Sequence, residues 1–245
     1  MITIADVYQS LTAKALAEYL TQAPLNLYKT ASLQSLVTQA APGRHLHILA
    51  VGAAADGECA LSVQLCEDGY PGWIPMAGLS HLLPAPAPYR PVELGREAIC
   101  DRLPAVIDFT RRAMAQPNQY LWGGTVGPNY DCSGLMQAAF ASAGIQLPRD
   151  SYQQEAFSDS IALTQLEPGD LIFFGQPRTN HVALYLGDGQ YIHSSGKDQG
   201  RNGIGLDSIW HLDDPISRAY GKTLRRGGRI VCSYRPSELE QPGPD

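Results

Sequence analysis

Short apolar runs alternating in period two occupy the first third of the chain: Leu25 to Tyr28, His45 to Val51 and Ala60 to Leu65, parted by Gly, Pro and Asp. Runs of this kind bounded by turn formers predict short strands, and several in succession predict a small barrel. Gly69-Tyr-Pro-Gly-Trp-Ile-Pro75 closes the set with a turn and a large aromatic side chain, and Asp6 to Leu20 reads as a lone helix ahead of it. Four prolines between Pro84 and Pro91 then remove backbone donors and stiffen the chain, which marks a linker.

Beyond the linker the period changes. Between Glu93 and Met114, the residues Leu94, Ile99, Leu103, Val106, Ile107 and Phe109 recur at roughly helical spacing despite Pro104, so one helix is predicted there. A second helix is expected from Cys132 to Ala143, with Leu135, Met136, Ala139, Phe140 and Ala143 as its apolar stripe, Asp131 as N-cap and Gly144 as stop. Strands follow at Asp170 to Phe174, His181 to Leu186 and Gln190 to His193, then a helix at Pro215 to Tyr220 and a last strand at Gly228 to Ser233. Helices first and an antiparallel sheet after them define an α+β domain. The expected organisation is a helical segment over 1–20, a barrel over 21–83, the linker over 84–92, the α+β domain over 93–235 and a polar tail over 236–245.

Composition narrows the function classes. Of 245 residues, 44% are hydrophobic and 17% charged, an ordinary globular balance. The formal net charge of -6 argues against nucleic-acid or anionic-membrane partners, and Arg225, Arg226 and Arg229 read as a solvated face. The N-terminus has no basic start or cleavage signature and no stretch approaches the ~18 apolar residues of a membrane span, so a cytoplasmic protein is expected. Five cysteines without a C-x-x-C pair suggest free thiols, with neither a disulfide framework nor a zinc ribbon. Cys59 and Cys66 are expected to face opposite ways, and Cys100 and Cys232 read as core positions.

Cys132 carries the candidate chemistry. At the first turn of a helix, free N–H groups and the positive dipole end favour the thiolate, and the same N–H groups suit an oxyanion. A cysteine nucleophile needs a base and a group to orient that base. His181 and His193 lie on one predicted hairpin. A three-residue Gly187-Asp188-Gly189 loop would pair Leu186 with Gln190, set His193 opposite Ala183 and leave it diagonal to His181. A two-residue loop would put the histidines on opposite faces, so the dyad reading predicts the longer, bulged loop. A zinc site on Cys132, His181 and His193 is the chemical alternative. His45, His47, His81 and His211 show no partner pattern and receive no role.

Five ordered motifs carry a resemblance: Tyr120-Leu-Trp-Gly-Gly, Asp131-Cys-Ser-Gly-Leu, Leu147-Pro-Arg-Asp-Ser-Tyr-Gln-Gln154, Pro168-Gly-Asp-Leu-Ile-Phe-Phe and His181-Val-Ala-Leu-Tyr-Leu-Gly-Asp-Gly. Together they resemble the NlpC family of papain-like cysteine peptidases, which cleave bacterial peptidoglycan peptides between γ-D-glutamate and a diamino acid. The resemblance implies a papain-like core in which Cys132 is the nucleophile, His181 the base and His193 the third polar residue. Ala23-Pro-Leu-Asn-Leu and Gly72-Trp-Ile-Pro resemble the bacterial SH3-like domains joined to such peptidases. The pairing implies γ-D-glutamyl-L-diamino acid endopeptidases that select peptides with a free N-terminal L-alanine, with Asp131 and Tyr70 holding the amine. Tyr120, Ser133 and Ser151 are then candidates for contacting the D-glutamyl unit. Cleavage of such peptides in wall recycling is implied, with no cofactor or metal required. Arg149 reads as a structural ion-pair partner outside the site. An amidase or acyltransferase on the same core, or an inactive wall-peptide-binding module, are the alternative readings.

Overall fold

The computed structural model describes residues 2–13, 16–53, 57 and 59–236, and falls into two compact units, Met1–Pro91 with Arg235–Asp245, and Val92–Tyr234. The polar tail, apart from Pro236, lies outside the described residues.

The first unit opens with helix α1 (Ile4–Thr12), started by a capping box in which the Thr3 hydroxyl accepts from the Asp6 N–H and the Asp6 carboxylate accepts from the Thr3 N–H. The helix expected to reach Leu20 stops short of it. Glu18–Thr21 is strand β1, whose alternation buries Tyr19 and Thr21. There follow β2 (Leu25–Tyr28), β3 (Leu36–Ala40), β4 (His45–Ala53), β5 (Cys59–Leu65), β6 (Pro71–Pro75) and β7 (Leu82–Pro84). They form one antiparallel sheet in the order β3-β2-β6-β5-β4-β1-β7, with Leu27, Leu46, Leu61, Val63, Leu65 and Ile74 wholly buried in its core.

The second unit begins with α2 (Arg96–Cys100) and α3 (Leu103–Met114) where a single helix was expected. Pro104 is the physical reason: its ring is accommodated only in a first turn, so it starts a new helix and does not continue the old one. Then come α4 (Cys132–Ser142), α5 (Ser151–Phe157), β8 (Asp159–Ile161), β9 (Leu171–Phe174), β10 (His181–Gly187), β11 (Gln190–Ser195), β12 (Gly203–Ser208), α6 (Pro215–Gly221) and β13 (Leu224–Arg229). The last strand lies earlier than the expected Gly228 to Ser233, because Leu224 to Gly228 pair with β9. Cys100 and Cys232, expected in the core, are exposed.

Six strands in the order β12-β11-β10-β9-β13-β8 make an antiparallel sheet. Leu135, Met136, Ala139 and Phe140 of α4 pack with Phe173, Val182, Leu184 and Ile192. Ile172, Phe174, Ala183, Tyr185 and Tyr191 make a second cluster with Tyr220 of α6. Both faces of the central strands are therefore buried, which is why β9 reads Leu-Ile-Phe-Phe without a polar position.

Candidate active site

The hairpin of β10 and β11 solves the register problem in its own way. Gly187 pairs with Gln190 around a two-residue Asp188-Gly189 loop, both residues at positive φ, the conformation that suits a tight hairpin. A register shift between Tyr185 and Gly187 then restores Tyr185 opposite Tyr191 and Leu184 opposite Ile192. The bulge sits in the strand and the loop stays short, and the two histidines end on one face as expected.

The result is a chain of two imidazole rings and a carboxylate. His181 Nε2 lies 2.7 Å from His193 Nδ1, and His193 Nε2 lies 2.7 Å from Asp207 Oδ2. Asp207 also accepts from Arg201 (Nη2 to Oδ1, 2.8 Å) and from the Ser217 hydroxyl (2.9 Å). Burial alone would raise the Asp207 carboxyl, but the hydrogen bonds from His193, Arg201 and Ser217 outweigh it and hold the group at about 2. With Asp207 ionised, His193 donates from Nε2 and accepts on Nδ1, and His181 therefore donates from Nε2. This assignment, inferred from the hydrogen-bond pattern, leaves the lone pair of His181 on Nδ1. Tyr220 lies over His181 with ring centroids 4.5 Å apart at 30°, while its hydroxyl pairs with Ser195 Oγ at 2.7 Å, so the imidazole plane is fixed by packing as well as by hydrogen bonds.

Asp207 was missed by sequence reasoning. The signal was present in Gly203-Ile-Gly-Leu-Asp-Ser, where Gly203, Gly205 and Asp207 are buried and Leu206 is exposed, a period-two strand paired to β11.

Cys132 is the first residue of α4 and only 6% exposed. Its thiol receives backbone hydrogen bonds from Val182, the residue after His181, and from Ser133. Burial, reinforced by the Asp131 carboxylate, nevertheless pushes the thiol up to about 12. The expectation of a thiolate held by the helix end alone is thus corrected: desolvation wins over the dipole. His181 is lowered well below its usual 6.5, by burial first and His193 second. The free site therefore rests as thiol and neutral imidazole. Iodoacetamide alkylation of Cys132 without substrate is expected to keep accelerating above pH 9; a plateau reached by pH 8 would contradict the buried-thiol account.

The other predicted residues divide. Asp131 caps α4, its Oδ1 accepting from the Gly134 N–H (2.6 Å) and its Oδ2 from the Gly123 N–H (2.9 Å). Arg149, buried to 2% exposure, adds an ion pair at 2.5 Å and also donates to Ser133 Oγ at 2.9 Å. The amine role implied for Asp131 thus meets a carboxylate already filled by four partners, counting Ser133 Oγ at 3.2 Å, and neutralised by a buried guanidinium. Ser133 is spent in the same cluster. Tyr120 pairs with Tyr130 across a bridge, and burial, reinforced by the nearby Asp131 carboxylate, pushes its hydroxyl above the usual range. Ser151 is buried in the first turn of α5. Tyr70 is half-buried in the first unit, its N–H donating to Asp68 Oδ1 at 3.0 Å.

The loop bearing Tyr120 to Gly124 is tied to the start of α4, with the Asp131 N–H donating to the Gly124 carbonyl at 3.1 Å. A Cβ on Gly134 would be driven into that carbonyl oxygen, which cannot retreat. Gly134→Ala is therefore expected to lower the unfolding free energy by about 1–3 kcal/mol, read from denaturant midpoints, and to lower activity by displacing the loop.

Fold and site together define a papain-like α+β domain preceded by an SH3-like barrel. Residues 117–219 match the NlpC/P60 family and residues 27–79 match the bacterial dipeptidyl-peptidase Sh3 domain, so the chain carries an NlpC/P60 domain behind a bacterial SH3 domain. A γ-D-glutamyl-L-lysine dipeptidyl-peptidase of Bacillus cereus is 37% identical over 99 residues, 39% of this chain and 30% of that protein. A probable endopeptidase p60 of Listeria monocytogenes is 38% identical over 112 residues, 45% of this chain and 21% of that protein. The matched stretch thus spans a third or less of these relatives. A crystal structure of an NlpC/P60 family protein from Bacillus cereus aligns over 91% of this chain and 66% of that one, at 24% identity and a TM-score of 0.46. Among the described residues, no helix is long and apolar enough to cross a membrane.

Proposed function

We propose that the protein is a cysteine endopeptidase that hydrolyses the γ-D-glutamyl-L-diamino acid bond of peptidoglycan peptides. The observation that carries this reading is the run His181, His193, Asp207, joined to the helix-starting Cys132 through the Val182 N–H that donates to its thiol, which supplies a nucleophile, a base with a fixed tautomer and a buried anion behind it. The substrate class rests on the five ordered motifs and on the γ-D-glutamyl-L-lysine peptidase similarity.

In this mechanism the thiol proton moves to His181 Nδ1 as sulfur attacks the γ-amide carbonyl, so charge never develops on a bare buried thiolate. Backbone N–H groups at the start of α4 stabilise the oxyanion. The protonated His181 hands its proton to the leaving amine, the C–N bond breaks and a thioester remains. Water then gives a proton to His181 and attacks the thioester, releasing L-Ala-γ-D-Glu and restoring the thiol.

The further part of the reading is selection of a free N-terminal L-alanine. A desolvated ammonium is costly unless paired, so a site built for it rejects blocked peptides. In the intact wall that nitrogen is acylated, and a requirement for the free amine therefore points to peptides already released, as in recycling. Mass spectrometry of L-Ala-γ-D-Glu-diaminopimelate and its lysine counterpart, each free and N-acetylated, tests both levels. Cleavage of the free peptides alone supports bond and amine selection; cleavage of all four removes the selection; cleavage of none overturns the substrate assignment.

A further inference from the structure

We propose that the first unit binds one divalent cation of the zinc class through Glu18, His47 and Cys66. The three side chains converge by sheet register. Glu18 of β1 is the cross-strand partner of His47 in β4, so both project from the same face. Cys66 follows β5 directly, and its N–H donates to the His45 carbonyl at 2.9 Å, which brings it beside the same pair. One donor atom from each residue lies within 4.8 Å of the others, and all three residues are half-buried. Ligand atoms around tetrahedral zinc stand roughly 3.4–3.7 Å apart for bonds of ~2.0–2.3 Å, so small side-chain rotations close the site.

The outer contacts prepare the donors. His47 Nδ1 lies 3.1 Å from the Ala17 carbonyl and must donate to it, which turns the lone pair onto Nε2; a histidine whose second nitrogen is anchored this way is already set as a ligand. Glu18 spends Oε1 on the Tyr89 N–H (2.6 Å) and on the His45 ring, leaving its second oxygen available. The charge balance points the same way. Glu18, Glu67 and Asp68 all act on the Cys66 thiol, and the one guanidinium among them is Arg44, paired to Glu67 at 2.8 Å and Asp68 at 3.0 Å. Three carboxylates against one guanidinium leave a formal charge of -2, opposite to that of a dication.

A bound cation would take the place of the proton on the Cys66 sulfur. Thiolate, imidazole and carboxylate together suit zinc better than magnesium or calcium, which take oxygen donors. Three protein ligands leave a fourth position for water. The cation would clip β1 to β4 and to the turn after β5, in a unit whose strands β1 and β4 share three paired positions.

Cobalt(II) is the probe, added to the metal-free 245-residue protein. One equivalent is expected to bind and to give a sulfur-to-cobalt charge-transfer band in the near ultraviolet, displaced by zinc. Cys66→Ser is expected to lose the band and His47→Gln to weaken it, whereas Cys132→Ser keeps it at full intensity. Zinc should raise the unfolding midpoint of the wild type and of Cys132→Ser alone. Absence of the band in wild type at saturating cobalt overturns the proposal, as does its survival in Cys66→Ser or its loss in Cys132→Ser. If Cys66→Ser does not fold, the wild-type titration and His47→Gln decide.

Discussion

Replacing Cys132 by alanine is expected to lower kcat/KM by about 10⁴-fold or more while leaving circular dichroism and the unfolding midpoint nearly unchanged. The side chain is small, and its removal from the start of α4 disturbs neither the Asp131 cap nor the Gly124 contact, which use backbone and carboxylate atoms. Stability and activity are thereby uncoupled, and the loss belongs to chemistry. Liquid chromatography of the peptide products checks it. Turnover retained within tenfold of wild type would remove Cys132 from the mechanism.

Asp207→Asn is expected to cost about 10²–10⁴-fold in kcat with a smaller change in KM. Asparagine can donate to His193 Nε2, which reverses the hydrogen bonds along the chain and places a proton on the His181 nitrogen that should accept one. The pH profile separates this from a structural loss. Asp207 raises the proton affinity of both histidines, which burial lowers, so without its charge the acid limb of kcat/KM is expected to move to lower pH than in the wild type. An acid limb that stays in place would show that Asp207 acts by packing alone. Stability responds with a definite sign. A carboxyl held at about 2 against 3.8 unfolded contributes on the order of 2 kcal/mol above pH 4, lost as pH falls from about 4 towards 2. The variant should therefore be less stable than wild type at neutral pH and approach it near pH 2.

How far these residues could be foreseen depended on whether their pattern was local. The helix starting at Cys132 and the shared face of His181 and His193 follow from spacing within a dozen residues, and both are found in the fold. Asp207 lies one strand further on, where its meaning depends on the pairing of β11 with β12, and a glycine-rich alternation hides a strand that apolar scoring would pass over. Helix α5 was missed because Ser151 to Phe157 has few apolar residues; its start is set by an Asp150 and Gln153 capping box. Arg149 was read as a structural ion pair, and so it is, but its burial against Asp131 also decides how the nucleophile's helix is held. Long-range pairing, more than propensity, separates what was legible from what was not.

The register shift beside Leu186 has a practical side. The rows that align the two histidines are locked from outside the hairpin, His181 against Phe174 and His193 against Gly205, so the tip need only join two ends already in place. The tip is nevertheless held in its own right, the Gly189 N–H donating to the Tyr185 hydroxyl at 3.0 Å and its carbonyl accepting from the Ile209 N–H at 2.9 Å, so a probe for a working enzyme belongs on the exposed Asp188 side chain and not in a lengthened loop.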